Sequence, residues 1–171
     1  MSIALVTGAS RGIGRAIAER LIKDGHFVIG TATSESGAQA ITERLGSHGE
    51  GRILDVTNAD QVAQLAADLA SEDKSPLILV NNAGITKDTL MLRMKADDWT
   101  SVIDTNLSSI FTVVSQFIKP MTKARTGRII NISSVVGSMG NAGQVNYAAA
   151  KAGLEGMTRA MAREFGSRAI T

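Results

Sequence analysis

The chain has 171 residues, 44% of them hydrophobic, which is enough for one sizeable core and argues against disorder. Its 18 Lys and Arg against 16 Asp and Glu leave a formal net charge of +2, too near balance to point to nucleic acid. Without cysteine, and with only His26 and His48 as histidines, the sequence offers no disulfide, no thiol chemistry and no metal-ligand cluster. No apolar run reaches the roughly 18 residues that span a bilayer, and the N-terminus enters an apolar run without a basic leader. A soluble, cytoplasmic protein of one domain, with no membrane partner, is the expectation.

Apolar periodicity predicts a strand over 3–6, a helix over 12–23, a strand over 27–31 and a helix over 36–45. The pattern repeats with a strand at 52–54, a helix over 59–70 and a strand over 77–80. In the helix, Val62, Leu65, Ala66 and Leu69 share one face. Helical stretches at 99–103 and 107–121, a strand over 128–132 and a helix over 146–165 complete the order. Strands alternating with helices imply an α/β fold, a doubly wound parallel sheet with right-handed crossovers.

The first strand runs into Thr7-Gly8-Ala9-Ser10-Arg11-Gly12-Ile13-Gly14, a glycine-rich turn that opens a helix. Glycines permit backbone approaches that a Cβ blocks. The free N–H groups and the positive end of the helix dipole suit a phosphate there. Many strand-to-helix turns need glycine for structure alone, so the turn acquires meaning from its place after the first strand.

The end of the second strand, Gly30-Thr31-Ala32-Thr33-Ser34, carries no acid. An NAD site of this architecture usually presents Asp or Glu to the adenosine ribose about twenty residues past the glycine turn. Hydroxyls at Thr33 and Ser34, with Arg11 as a cation, suit a 2′-phosphate instead, so NADP(H) is the expected cofactor. The alternative is a solvated Arg11 beside an ordinary turn. Asp55 and Val56 close the third strand, and Asn82, Ala83 and Gly84 follow the fourth, on the same binding edge. Asp55 suits the adenine amino group and the Asn82–Gly84 backbone the adenosine ribose, unless Asn81-Asn82 is only turn chemistry.

Ser134 follows the 128–132 strand, and Tyr147 and Lys151 lie one helical turn apart in the spacing S-x12-Y-x3-K. A phenol ionises more readily beside an ammonium, which suits Tyr147 to proton transfer with Lys151 as its electrostatic partner. Tyr147 is the only tyrosine of the chain.

Taken in order, T-G-x3-G-x-G at 7–14, N-N-A-G at 81–84, Asn106, Ser134 and Tyr147-x3-Lys151 resemble the short-chain dehydrogenase/reductase family. The likeness runs from residue 3 to the last residue. Segments 30–38, 82–88 and 136–144 look like the branch that reduces 3-oxoacyl thioesters in bacterial fatty acid synthesis. The resemblance implies an acyl carrier protein thioester as substrate, with Tyr147 giving a proton to the 3-keto oxygen and Ser134 polarising it. Tyr147 and Lys151 would also meet the nicotinamide end of the cofactor, Lys151 binding its ribose. Asn106 would hold a water that links Lys151 to solvent. An acetoacetyl-CoA reductase of the same family, or a cofactor-binding module without turnover, are the rival expectations.

The family also pairs helices 107–121 and 146–165 across a twofold axis, which implies a homodimer unit within a tetramer. Phe111, Val114, Phe117, Gly153, Gly156 and Met157 are the apolar and small residues expected there, unless both helices are simply buried within one subunit. Lys119, Lys123, Arg125, Arg128 and Arg168 form a basic cluster expected near the active-site entrance, facing an acidic carrier unless it is merely a solvated face. The family continues with two strands, a Pro-Gly turn and a helical segment over the substrate. The 171 residues are therefore expected to lack these parts.

Overall fold

The computed structural model describes residues 1–171 and contains five strands: β1 Ile3–Val6, β2 Phe27–Ala32, β3 Gly49–Ile53, β4 Ile78–Asn81 and β5 Arg128–Asn131. They form one parallel sheet in the order β3-β2-β1-β4-β5. β1 pairs Ile3 with Phe27 on one side and Ala4 with Ile78 on the other. The order reverses between β1 and β4. Helices leave these two strands toward opposite faces, which opens a crevice beyond their carboxyl ends.

Five helices connect the strands, α1 Gly12–Lys23, α2 Glu35–Leu45, α3 Ala59–Ser71, α4 Ala96–Ile103 and α5 Ser109–Ala124, and two follow β5, α6 Val135–Met139 and α7 Val145–Phe165. Side chains alternate across a strand, so each strand feeds two cores. Leu5, Ile29 and Leu79 pack with Val62 and Leu65 of α3, Val113 and Phe117 of α5, and Leu154 of α7. Ala4, Val6, Val28 and Val80 face the other way, onto Ala18 of α1 and Ile41 and Leu45 of α2. No helix is long and apolar enough to cross a membrane.

The predicted elements all form, with shifted bounds and one addition. β3 begins at Gly49 instead of residue 52 and extends to Ile53 because it pairs along the whole of Val28–Ala32. Its Gly49 and Gly51 carry no side-chain pattern to read. A Cβ at Gly51 would overlap the Ala38 carbonyl of α2, so the bare backbone is what lets that helix lie on the strand. The helical stretches at 99–103 and 107–121 are parts of one rod, α4 joined to α5 through a π-helical turn over Asp104–Ser108. The short helix α6 was not foreseen.

β3 is an edge strand, and edge strands expose backbone that must be protected. Arg52 bridges Glu50 and Glu72 at 2.6 Å each, Lys74 meets Glu50 at 2.8 Å and Glu72 at 2.9 Å, and Lys74 also stands over the Phe27 ring. Hydrogen bonds from Lys74 and then Arg52 hold the Glu72 carboxyl below its ordinary value. A folded-state pKa below the unfolded one contributes stability above the unfolded carboxylate range, and loses it as pH falls through the folded value. Glu72→Gln should therefore lower the urea midpoint at neutral pH, with the gap from wild type closing in acid and narrowing at high salt. A gap independent of pH would contradict the network's role.

Candidate active site

The glycine turn and the Asn82 turn interlock at the crevice between β1 and β4. Thr7 Oγ1 accepts from the N–H of Asn82 at 3.0 Å and of Ala83 at 3.1 Å, and donates to Val80 O. Asn82 Nδ2 donates back to Thr7 O at 2.9 Å and Gly8 O at 3.0 Å. Gly14 leaves the space this amide fills, since a Cβ there would overlap both Asn82 Nδ2 and Gly8 O. Gly8 and Gly12 take φ of +67° and +57°, the left-handed region that other side chains rarely adopt.

The result is a bare-backbone cradle at the start of α1. First-turn amides have no intrahelical acceptor, and the Arg11 side chain makes no cap hydrogen bond to them. They face a cavity of about 560 Å³ lined by Gly8, Ser10, Arg11, Gly12, Ile13, Gly14, Thr33, Asp55, Val56, Asn82, Ala83 and Gly84, among others. The exposed Arg11 and Thr33 stand at its rim. Ala9 is buried beneath the loop, where its N–H donates to Thr31 O and its carbonyl accepts from Arg44. Arg44 also reaches Ser10 O at 3.4 Å, a tether on the phosphate-type loop that sequence reading missed. These features fit a dinucleotide: donors without acceptors, backbone that admits close approach, and a cavity that reaches from the glycine turn to the ends of β2, β3 and β4.

Tyr147 and Lys151 line a second cavity, of about 480 Å³, which shares Arg11, Ile13, Asn82, Gly84 and Ile85 with the first. Lys151 is 5% exposed; its Nζ donates to Ile132 O at 2.6 Å and stands 5.6 Å from the centre of the Tyr147 ring. Burial pushes the Lys151 ammonium below the ordinary lysine value.

Ser134 sits differently from its neighbour. Ser133 lines the Tyr147 cavity, while Ser134 follows it as the N-cap of α6, accepting from Val136 N at 3.2 Å. The cap uses a lone pair of Ser134 Oγ and leaves its O–H free to donate. The strand end that carries both serines is tied to one face of α7 at three successive residues. Asn131 donates to Thr158, Ile132 accepts from Lys151 and Ser133 donates to Glu155.

Asn106, which as an Asn at a helix break invites reading as a cap, lies fully buried in the π-helical turn. Its amide clamps the backbone of one residue, accepting from Ile85 N at 2.8 Å and donating to Ile85 O at 2.7 Å. Single wide turns of this kind often mark functional sites.

Several expectations need revision. Of the pair, Thr33 lines the cavity, and Ser34 caps α2, where it accepts from Gly37 N. Asp55 Oδ1 accepts from Thr57 N and Thr57 Oγ1, a local turn that fixes its carboxylate at the cavity wall. Asn82 is first of all a strut between two turns. Val114 and Phe117, 5% and 2% exposed, are buried in the chain's own core, whereas Phe111 is 68% exposed. The basic cluster is not beside Tyr147. Arg128 opens β5 and Arg125 ends α5, both at the amino edge of the sheet, and their guanidiniums donate to Ala169 O and Ser167 O.

The sequence pattern of the short chain dehydrogenases matches residues 2–171. The chain belongs to this oxidoreductase family, whose chemistry requires a nicotinamide cofactor. Within it, the chain is 60% identical over 172 residues to the 3-oxoacyl-(acyl-carrier-protein) reductase FabG of Pseudomonas aeruginosa, covering 99% of this chain and 70% of that one. It is 57% identical over 169 residues to the FabG of Vibrio harveyi, covering 99% of this chain and 69% of that one. A solved short-chain dehydrogenase from Streptomyces avermitilis superposes with a TM-score of 0.95 at 30% identity, covering 99% of this chain and 64% of the other. The chain thus spans about two thirds of its relatives' length.

Proposed function

We propose that residues 1–171 act as one catalytic unit that reduces the 3-keto group of an acyl carrier protein thioester with NADPH. One observation carries the reading: the dinucleotide cradle and the Tyr147–Lys151 cavity share Arg11, Ile13, Asn82, Gly84 and Ile85 and so adjoin along one trough. The similarity to reductases named for this substrate supports the choice of thioester. The absence of an acid at the end of β2, with Thr33 and Arg11 on the rim, supports NADPH over NADH.

When bound, the nicotinamide supplies a hydride to the carbonyl carbon. The chain's own residues manage the oxygen. Tyr147 Oη gives it a proton, and the free O–H of Ser134 donates a hydrogen bond that stabilises the developing negative charge. Lys151 stands over the Tyr147 ring as a cation–π partner, 5.6 Å from its centre. Asn106 acts through the Ile85 backbone, which it fixes at the wall shared by both cavities.

An acetoacetyl thioester should drive NADPH oxidation, read as loss of absorbance. Tyr147→Phe should abolish it, by on the order of a hundredfold or more, while leaving NADPH binding intact. Binding without oxidation by the wild-type chain would favour the module without turnover. A CoA thioester turned over as well as the carrier thioester would favour the acetoacetyl-CoA reductase reading.

We further propose that the chain self-associates through the outer faces of α5 and α7, as a dimer unit within a tetramer. Phe111 is mostly exposed there, and Gly156 leaves its surroundings open. Sedimentation as a multiple of 17.9 kDa is expected. A monomer at all concentrations would contradict it.

A further inference from the structure

We propose that Asn146 is a positioning residue for Tyr147, its buried amide strapping the first turn of α7 to the loop after β4 and to α4. The inference rests on the reductase reading for what Tyr147 does. What places Tyr147 stands on the hydrogen bonds alone.

Asn146 is fully buried, and its amide is occupied on both sides. Oδ1 accepts from Tyr147 N at 2.8 Å, and Nδ2 donates to Lys87 O at 3.2 Å and Asp98 O at 3.0 Å. Gln144, at the cap position of α7, provides no side-chain acceptor. Asn146 therefore serves the orphan amide of Tyr147 from inside the helix.

The same amide is the central link of a longer clasp. The loop after β4 is tied residue by residue to the segment before Tyr147. Lys87 is held by Asn146, the Asp88 carboxylate accepts from Gln144 Nε2 at 3.0 Å, and Thr89 N donates to Gly143 O at 2.8 Å. Two residues earlier, Asn106 fixes both backbone polar groups of Ile85. The loop is thereby anchored at both ends, with Ile85 on the trough and Lys87 against α7. Of these ties, Asn146 alone also touches the residue that carries the phenol.

The energetic asymmetry favours position over bulk stability. Loss of the side chain leaves the Lys87 carbonyl and the Tyr147 amide without this partner, while Asp98 O keeps Ser101 Oγ at 3.4 Å, and a polar group left unpaired favours a shift of its segment toward water. Asp88 and Thr89 stay tied to the segment before α7, so the loop beyond Ile85 and that segment would shift together. Such a shift would move the first turn of α7 relative to Ile85 while the buried Lys151, one turn on, stays tied to Ile132.

The test compares the wild-type chain with Asn146→Ala and Asn146→Asp, the latter keeping the acceptor for Tyr147 N but, when ionised, no donor for Lys87 or Asp98. Trp99, the only tryptophan, follows Asp98 directly and reports on the clasp by its fluorescence. Folded variants should lose kcat on the order of tenfold or more, with NADPH affinity and the KM for acetoacetyl thioester within about twofold, and Trp99 should become easier to quench. An unchanged kcat, or NADPH affinity falling in step with kcat, would overturn the proposal.

Where a variant does not fold, amide exchange of the wild-type chain decides. Protection of Tyr147 N comparable to the interior of α7 supports the clasp, and exchange at the rate of a frayed helix end overturns it. Tyr147→Phe separates the two claims. If wild type and Tyr147→Phe turn over alike, the reductase reading fails, while Trp99 quenching and amide exchange still judge Asn146.

Discussion

The fit of one amide into one missing methyl group underlies the rest of the site. Asn82 reaches from the end of β4 to the carbonyls of Thr7 and Gly8, and only the absent Cβ of Gly14 lets it lie there. The strut fixes how β1 and β4 end relative to each other, at the point where the sheet's winding reverses. The cradle amides, the trough and the Ile85 backbone all take their places from that junction. The strut adds to the short β1–β4 ladder from Ala4 to Val6, to the bonds of the Thr7 hydroxyl with Asn82 and Ala83, and to the shared core, which join the same two halves.

Charge is handled with similar economy. Lys151 is buried and made less willing to hold its proton, yet it stands against the Ile132 carbonyl and the Tyr147 ring, both of which favour the ammonium. A desolvated cation acts on its neighbour more strongly than a solvated one, because less water screens it. The cost is that the strand end and α7 must not drift. The ties from Asn131, Ile132 and Ser133 to Thr158, Lys151 and Glu155 meet that need.

The order of elements was legible in the sequence because apolar periodicity is local, and β1 and α1 came out with their observed bounds. β3 was legible only at its end, since Gly49 and Gly51 are set by how closely α2 packs, a tertiary fact. The glycine turn, Tyr147 and Lys151 were found from spacing and position. The work of the asparagines was not. Asn82, Asn106, Asn131 and Asn146 each bind groups far off along the chain, and nothing in the local pattern distinguishes such an amide from turn chemistry. Arg44 was hidden for the same reason, as its partners lie 34 and 35 residues away. The basic cluster was misplaced although its edge was legible, since a helix that leads into a parallel strand ends at the sheet's amino edge, opposite the crevice beyond the carboxyl ends.

The central claim is that a dinucleotide lies in the bare-backbone cradle between β1 and β4. NADPH titration of the wild-type chain against Gly14→Ala and Gly166→Ala tests it most directly, with thermal unfolding as the check on folding. Gly166 is exposed with open space around it, so its alanine variant should bind like wild type. Gly14→Ala displaces the Asn82 amide and should weaken NADPH on the order of tenfold or more, about 1.4 kcal/mol, in a chain that still unfolds cooperatively. A folded Gly14→Ala chain that binds NADPH as tightly as wild type would contradict the account.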